Sequence, residues 1–149
     1  MNTTQYLDIT RPTLLIDPHR VHANIQRMAE KARRAGVRLR PHFKTHQSAQ
    51  VGEWFRPYGV QAITVSSLDM AAYFATHGWG DILVAFPLNL RQIELVRHLS
   101  HLIHLGVLVE CSGHVEALAA AVDNNVDVWI KVDSGSRRTG LAWDEPQKI

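Results

Sequence analysis

The run Arg40-Pro41-His42-Phe43-Lys44-Thr45-His46 sets one lysine between two histidines, where an apolar stretch gives way to a helical pattern. A primary amine so placed can do chemistry that a guanidinium cannot, above all condense with an aldehyde to a Schiff base. The chain has 12 Arg but four Lys, at positions 31, 44, 131 and 148, so arginine meets most of its need for positive charge. An ordinary surface lysine satisfies the same spacing, and spacing alone leaves both readings open. To attack an aldehyde the amine must be neutral part of the time, which a partly buried site near other cations favours. His42 and His46 are read as active-site residues that tune Lys44 or contact a ligand.

The elements that must position these residues follow from periodicity. Residues 12–17 form a short apolar run, and Asp17-Pro18 reads as a cap with proline in the first helical turn. Val21, Ile25, Met28, Ala29 and Ala32 recur at helical spacing, and Gly36 stops that helix. Strands are expected at 37–42, 62–66, 81–86, 105–109 and 127–132, and further helices at 48–58, 68–77, 90–102 and 112–124. With the first run counted as a strand, six strands alternate with five helices. The strands read as continuous apolar runs, the signature of a parallel α/β sheet covered on both faces. Gly78-Trp79-Gly80 precedes a strand rather than a helix, which argues against a dinucleotide fingerprint. A closed barrel and an open doubly wound sheet both satisfy this pattern.

Polar residues gather at the expected carboxyl ends of the strands: residues 42–46, Ser66-Ser67, Pro87 to Asn89, Glu110-Cys111, and Asp133 to Arg138. Barrel enzymes put their chemistry there, although loops are polar in any case. His98, His101 and His104 begin at helical spacing but lack a matching Cys or carboxylate, so they read as a solvated face, as do His19 and His22; no metal ligands are assigned. The single cysteine, Cys111, excludes a disulfide within the chain, fits a reducing compartment, and reads as a small buried residue at a strand end. A net charge of +2 with interspersed signs and no basic block argues against nucleic acid. The opening residues lack the apolar core of a signal peptide, and no apolar run approaches the roughly 20 residues of a membrane span. A cytoplasmic protein is the expectation.

Three ordered motifs carry a resemblance: residues 11–17, Arg-Pro-Thr-Leu-Leu-Ile-Asp; residues 40–46; and residues 131–140, Lys-Val-Asp-Ser-Gly-Ser-Arg-Arg-Thr-Gly. Together they resemble the D-threonine aldolase and D-serine dehydratase group, whose barrel is related to the N-terminal domain of alanine racemase. The resemblance implies a partial TIM (β/α) barrel of the alanine racemase type over residues 1–149. It gives the first strand, at about 12–17, to a β domain supplied by later residues, and leaves three barrel strands to follow Ile149. It further implies pyridoxal 5'-phosphate as cofactor, held by Lys44 and contacted by Arg138, with His42 and His46 nearby. Arg138 matches an arginine beside the cofactor's phenolic oxygen. Lys131, seven residues earlier, matches a racemase lysine that is carbamylated and orients that arginine; an internal ion pair with Asp133 or Glu110 is the other reading of it. Gln47 stands where many relatives carry a second lysine. A divalent metal is implied only through C-terminal residues that this chain does not contain. The implied activity is cleavage of a β-hydroxy-D-amino acid to glycine and an aldehyde, by a homodimer in the full-length protein. Dehydration, racemisation and non-catalytic cofactor binding are the alternatives, and the 149 residues alone are expected to be inactive.

Overall fold

A computed structural model of the chain describes residues 9–145 and residue 147. Four parallel strands, β1 (Ile63–Val65), β2 (Asp81–Pro87), β3 (His104–Val109) and β4 (Asp127–Ile130), pair in the order β1-β2-β3-β4. Helices α3 (Leu68–Thr76), α4 (Ile93–Ser100) and α5 (Ser112–Ala121) make the three crossovers. Helix α1 (Pro18–Arg34) and the short α2 (Ala49–Glu53) precede the sheet. The Asp17 carboxylate caps α1 by accepting from the Arg20 N–H, and the Ser48 and Ser67 hydroxyls cap α2 and α3 in the same way.

One sheet face packs on the helices; on the other, Thr64 and Leu108 are still buried and exposure grows toward Trp129 of β4. Ile63, Val65, Ile82, Val84, Leu105 and Val107 are buried against the helical layer with Phe74, Val96 and Leu99. Alternation then puts Thr64, Leu83, Leu108 and Trp129 on the other side, the inner wall of an arc. Val128 and Ile130 of β4 are about half exposed, because no helix among the described residues covers that end of the sheet.

Three sequence expectations change. Residues 12–17 form no strand: Leu14, Leu15 and Ile16 are exposed, with no partner strand among the described residues. The strand expected at 37–42 shrinks to a single parallel bridge between His42 and Thr64, with the Thr64 N–H donating to Pro41 O at 2.9 Å. It lies at the edge of the sheet, and Pro41 has no N–H to extend a ladder. The helix expected over 48–58 ends after Glu53 and resumes as a 3-10 turn, Arg56–Tyr58, because Pro57 cannot donate to the preceding turn.

The amino ends of the strands are clasped by charge. Asp81, at the start of β2, takes Arg40 at 2.8 Å, Arg38 at 3.1 Å and His104 at 3.5 Å, and His104 also reaches Asp127 at 3.1 Å. Thus His104 opens a strand instead of closing a helical histidine face. Asp81→Asn leaves two arginines without their counter-charge in a half-buried place. We expect a loss of about 2 kcal/mol, between the values for exposed and buried pairs, seen as a lower urea midpoint at an unchanged slope.

Candidate functional site

The Lys44 turn is built from both sides by its neighbours. After the Pro41–Thr64 contact the chain makes one 3-10 turn, Phe43–Thr45. Phe43 is fully buried, its ring 4.5 Å from that of His46 and 5.1 Å from each of Phe55, Phe74 and Trp79. Gly52 of α2 permits this: a Cβ there would lie 3.0 Å from Phe43 Cε2. On the outer side, His42 Nδ1 accepts the Lys44 N–H at 3.3 Å. Burial and the Lys44 charge hold the His42 imidazole below its ordinary pKa, against a smaller opposing effect of a hydrogen bond with the Thr64 backbone. A neutral ring is what an accepting Nδ1 requires. Gln47 closes the turn in the left-handed region, φ 48°, its N–H on Phe43 O at 3.0 Å and its side-chain amide on Lys44 O at 3.2 Å.

Lys44 itself is exposed, not in the partly buried place that would favour a neutral amine. Its amine has no hydrogen-bond or ion-pair partner among the described residues. The structure brings Lys44 and His42 together. It turns His46 the other way, into the aromatic cluster, where its Nε2 is sealed from solvent without a partner.

The second segment lies at the other end of the sheet. Beyond β4 the Lys131 N–H still donates to Val109 O at 2.9 Å, and β5 (Val132–Asp133) then pairs in parallel with β6 (Leu141–Ala142). Between them, Asp133 Oδ1 accepts from the Gly135 N–H at 2.9 Å and the Ser136 hydroxyl at 3.2 Å. Hydrogen bonds from the Gly135 and Arg137 backbones, above all, hold its carboxyl below the usual range. Arg137 is left-handed, φ 53°. Arg138 is exposed and has no hydrogen bond or ion pair among the described residues. Lys131 makes neither expected ion pair; its amine donates to Val132 O at 3.3 Å, while Glu110 accepts the Gly140 N–H at 2.7 Å. Cys111, expected to be buried, is exposed at the turn from β3 into α5.

Lys44 and Arg138 therefore share the carboxyl side of one parallel sheet but do not touch. Four strand steps separate them, roughly 19 Å along the arc at about 4.8 Å per strand. Among the described residues two non-glycines have positive φ, Gln47 and Arg137, and they lie beside these two cations. Such strain is retained where surrounding contacts over-determine it, and it clusters at functional sites. A cavity of about 260 Å³ opens on the same side, lined by Ser66, Leu68, Phe86 and Asn89 among others. Sequence reading missed Gln47 as a turn-closing residue, and nothing local signals a left-handed glutamine. It also missed Gly52, whose place inside a helical pattern was a readable sign of close backbone approach.

Gly140 ties this loop down. It sits at φ 106°, and a Cβ would stand 2.8 Å from Lys131 O and 3.0 Å from Asp133 N, backbone atoms that cannot swing aside. Gly140→Ala is expected to cost about 3 kcal/mol and to break the Glu110 bond. Limited trypsin digestion checks this, with cleavage at Arg137 and Arg138 accelerated in the variant.

Similarity to known proteins agrees with this geometry. D-threo-3-hydroxyaspartate dehydratase from Delftia sp. (strain HT23) is 34% identical over 145 residues, covering 93% of this chain and 38% of that protein. D-threonine aldolase from Arthrobacter sp is 25% identical over 140 residues, covering 91% of this chain and 37% of that protein. Among solved structures, D-threonine aldolase from Filomicrobium marinum superposes with a TM-score of 0.85 at 24% identity, over 90% of this chain and 37% of that one. The chain thus spans somewhat over one third of the length of these relatives. The family model described as alanine racemase, N-terminal domain, matches residues 16–149. With parallel strands, crossover helices and a lysine turn at their carboxyl side, the chain belongs to the alanine racemase N-terminal-domain family.

Proposed function

We propose that the carboxyl face of this sheet holds pyridoxal 5'-phosphate through Lys44, as part of a lyase acting on D-amino acids. The observation that carries this reading is the exposed, unpartnered amine of Lys44 on a turn anchored by the fully buried Phe43 ring, against which the half-buried His46 ring packs. The residues present fit an anionic aldehyde in kind: Lys44 offers a free primary amine and Arg138 a free guanidinium, and the curvature of the arc and the length of both side chains must close the gap between them. When bound, the cofactor supplies an electron sink for charge developing at the substrate's α-carbon. Lys44 binds at its amine and can then move a proton on one side of the substrate. His42, neutral and hydrogen-bonded to the Lys44 N–H, orients the turn without adding a competing charge. Arg138 offers positive charge to an oxygen of the ligand.

The reading extends to retro-aldol cleavage of a β-hydroxy-D-amino acid to glycine and an aldehyde, as the name of the Arthrobacter relative indicates. The greater identity to the hydroxyaspartate dehydratase favours a second outcome, loss of the β-hydroxyl as water. Both substrates carry an amine next to a β-hydroxyl, and product analysis separates glycine and aldehyde from keto acid and ammonia. The reading assigns no residue of this chain to a divalent metal. The same reading pairs the exposed run at 12–17 with a β domain and makes the full-length protein a cytoplasmic homodimer. Among the described residues no helix is long and apolar enough to cross a membrane.

The test is to mix the chain with pyridoxal 5'-phosphate, reduce with borohydride and locate the adduct by peptide mass. Labelling concentrated at Lys44 supports the proposal. Equal labelling of Lys31, Lys44, Lys131 and Lys148 would sink it, since that is the behaviour of amines with no selective site.

A further inference from the structure

His46 has no evident task in that chemistry, yet it is one of the most constrained polar side chains described. Its ring lies 4.5 Å from Phe43, 6.1 Å and nearly parallel to Phe55, and 6.4 Å from Phe74. Its Nε2 is sealed without a partner, and Nδ1 reaches only the Thr45 hydroxyl, at 3.5 Å. Its backbone N–H closes the Lys44 turn on Phe43 O. We infer that His46 is a positioning residue: its imidazole serves as an aromatic peg that, with Phe43, fixes the turn presenting Lys44. It touches neither ligand nor reacting atoms. This goes beyond the cofactor reading but takes its interest from it, because a pinned turn gives the Lys44 amine a defined direction.

The peg works only as a neutral ring. A cation at Nε2 would face phenyl rings with no acceptor, and burial alone holds this imidazole below its ordinary pKa. The elements packed against it present the phenyl rings of Phe55 and Phe74. Their titratable neighbours are engaged elsewhere: Glu53 pairs with Arg56, the Tyr73 hydroxyl accepts from the Ala49 N–H, and His77 Nδ1 contacts Tyr73 O. On its own turn, His42 and Lys44 lie on the outer side. The unfolded chain therefore takes up a proton at His46 at higher pH than the folded one does. The stabilisation is complete above about 6.5 and declines as pH falls from there toward the lowered folded value.

Hydrogen exchange at the Lys44 and Gln47 amides, expressed as protection relative to intrinsic rates, reads this directly and needs no cofactor. His46→Phe keeps the peg without a titrating nitrogen; His46→Gln removes the ring. We expect protection within about twofold of wild type in His46→Phe and at least about tenfold lower in His46→Gln, with α4 amides unchanged in both. At the Gln47 amide, which donates to Phe43 O and not to His42, wild-type protection should fall as pH drops below about 6.5, and that of His46→Phe should not; the Lys44 amide is left out of this pH comparison because its acceptor, His42 Nδ1, titrates in both proteins. Loss of protection in a folded His46→Phe, or an identical pH profile in both proteins, overturns the inference. Should His46→Phe fail to fold, the wild-type profile decides alone, a flat one overturning the inference. Borohydride labelling of the same samples is scored separately: intact protection with unselective labelling defeats the cofactor reading and leaves the peg standing.

Discussion

Lys44→Ala is expected to abolish the borohydride-trapped adduct at this position and to weaken pyridoxal 5'-phosphate binding at least about 100-fold, on the order of 3 kcal/mol. Its stability should stay within about 0.5 kcal/mol of wild type, because the side chain is exposed and makes no hydrogen bond or ion pair among the described residues. Lys44→Arg is the sharper companion. Guanidinium keeps the charge but cannot condense with an aldehyde, so recovery of binding in that variant would show that charge, not imine formation, holds the ligand. Parallel urea titrations and mass analysis of the reduced protein measure both quantities. A variant that binds normally removes Lys44 from the proposal.

Phe43→Ala should be the most destabilising of the changes considered, by about 3–5 kcal/mol. The ring is fully buried and meets four others within 4.5–5.1 Å, from the same turn, from the chain after α2, from α3 and from the loop before β2. Truncation opens a cavity among rigid rings that cannot collapse around it. The consequence for function follows from chain connectivity, since Phe43 is bonded to Lys44. In whatever fraction remains folded, labelling selectivity for Lys44 over the other three lysines should fall, whereas Lys44→Ala removes the adduct and leaves the urea midpoint in place. The two variants thus separate the chemical group from the scaffold that aims it. A Phe43→Ala protein as stable as wild type would show that the aromatic cluster does not pin the turn.

Much of the fold was legible because it depends on local, periodic signals. The apolar runs at 62–66, 81–86, 105–109 and 127–132 became β1 to β4, and Asp17, Ser48 and Ser67 cap the helices they precede. Parallel alternation also put residues 42–46, Ser66-Ser67, Pro87 to Asn89, Glu110 and Asp133 to Arg138 on one side of the sheet, as their places at strand ends required. The run at 12–17 has the composition of a strand, but a strand exists only when a neighbour accepts its backbone bonds, and none among the described residues does. Pro57 is visible in the sequence and breaks the helical pattern over 48–58, because it has no N–H to donate to the preceding turn.

The candidate site divides in the same way. Sequence alone determined which groups exist and roughly where the chain delivers them: a lone lysine at a strand end, an arginine at the far edge, histidines beside the lysine, all tied to backbone direction. Tertiary structure decided which way those side chains face. His46 turns inward because Phe55 and Phe74, nine and twenty-eight residues further on, offer ring surfaces for its imidazole to pack on. Lys131 passes over Asp133 for a backbone carbonyl because the Asp133 carboxylate is already turned toward Gly135 and Ser136. Gln47 accepts a left-handed backbone because two hydrogen bonds within its own turn offset the strain. Local spacing fixes an element and its register, but the direction of a polar side chain is a competition among partners that meet only once the chain has closed on itself.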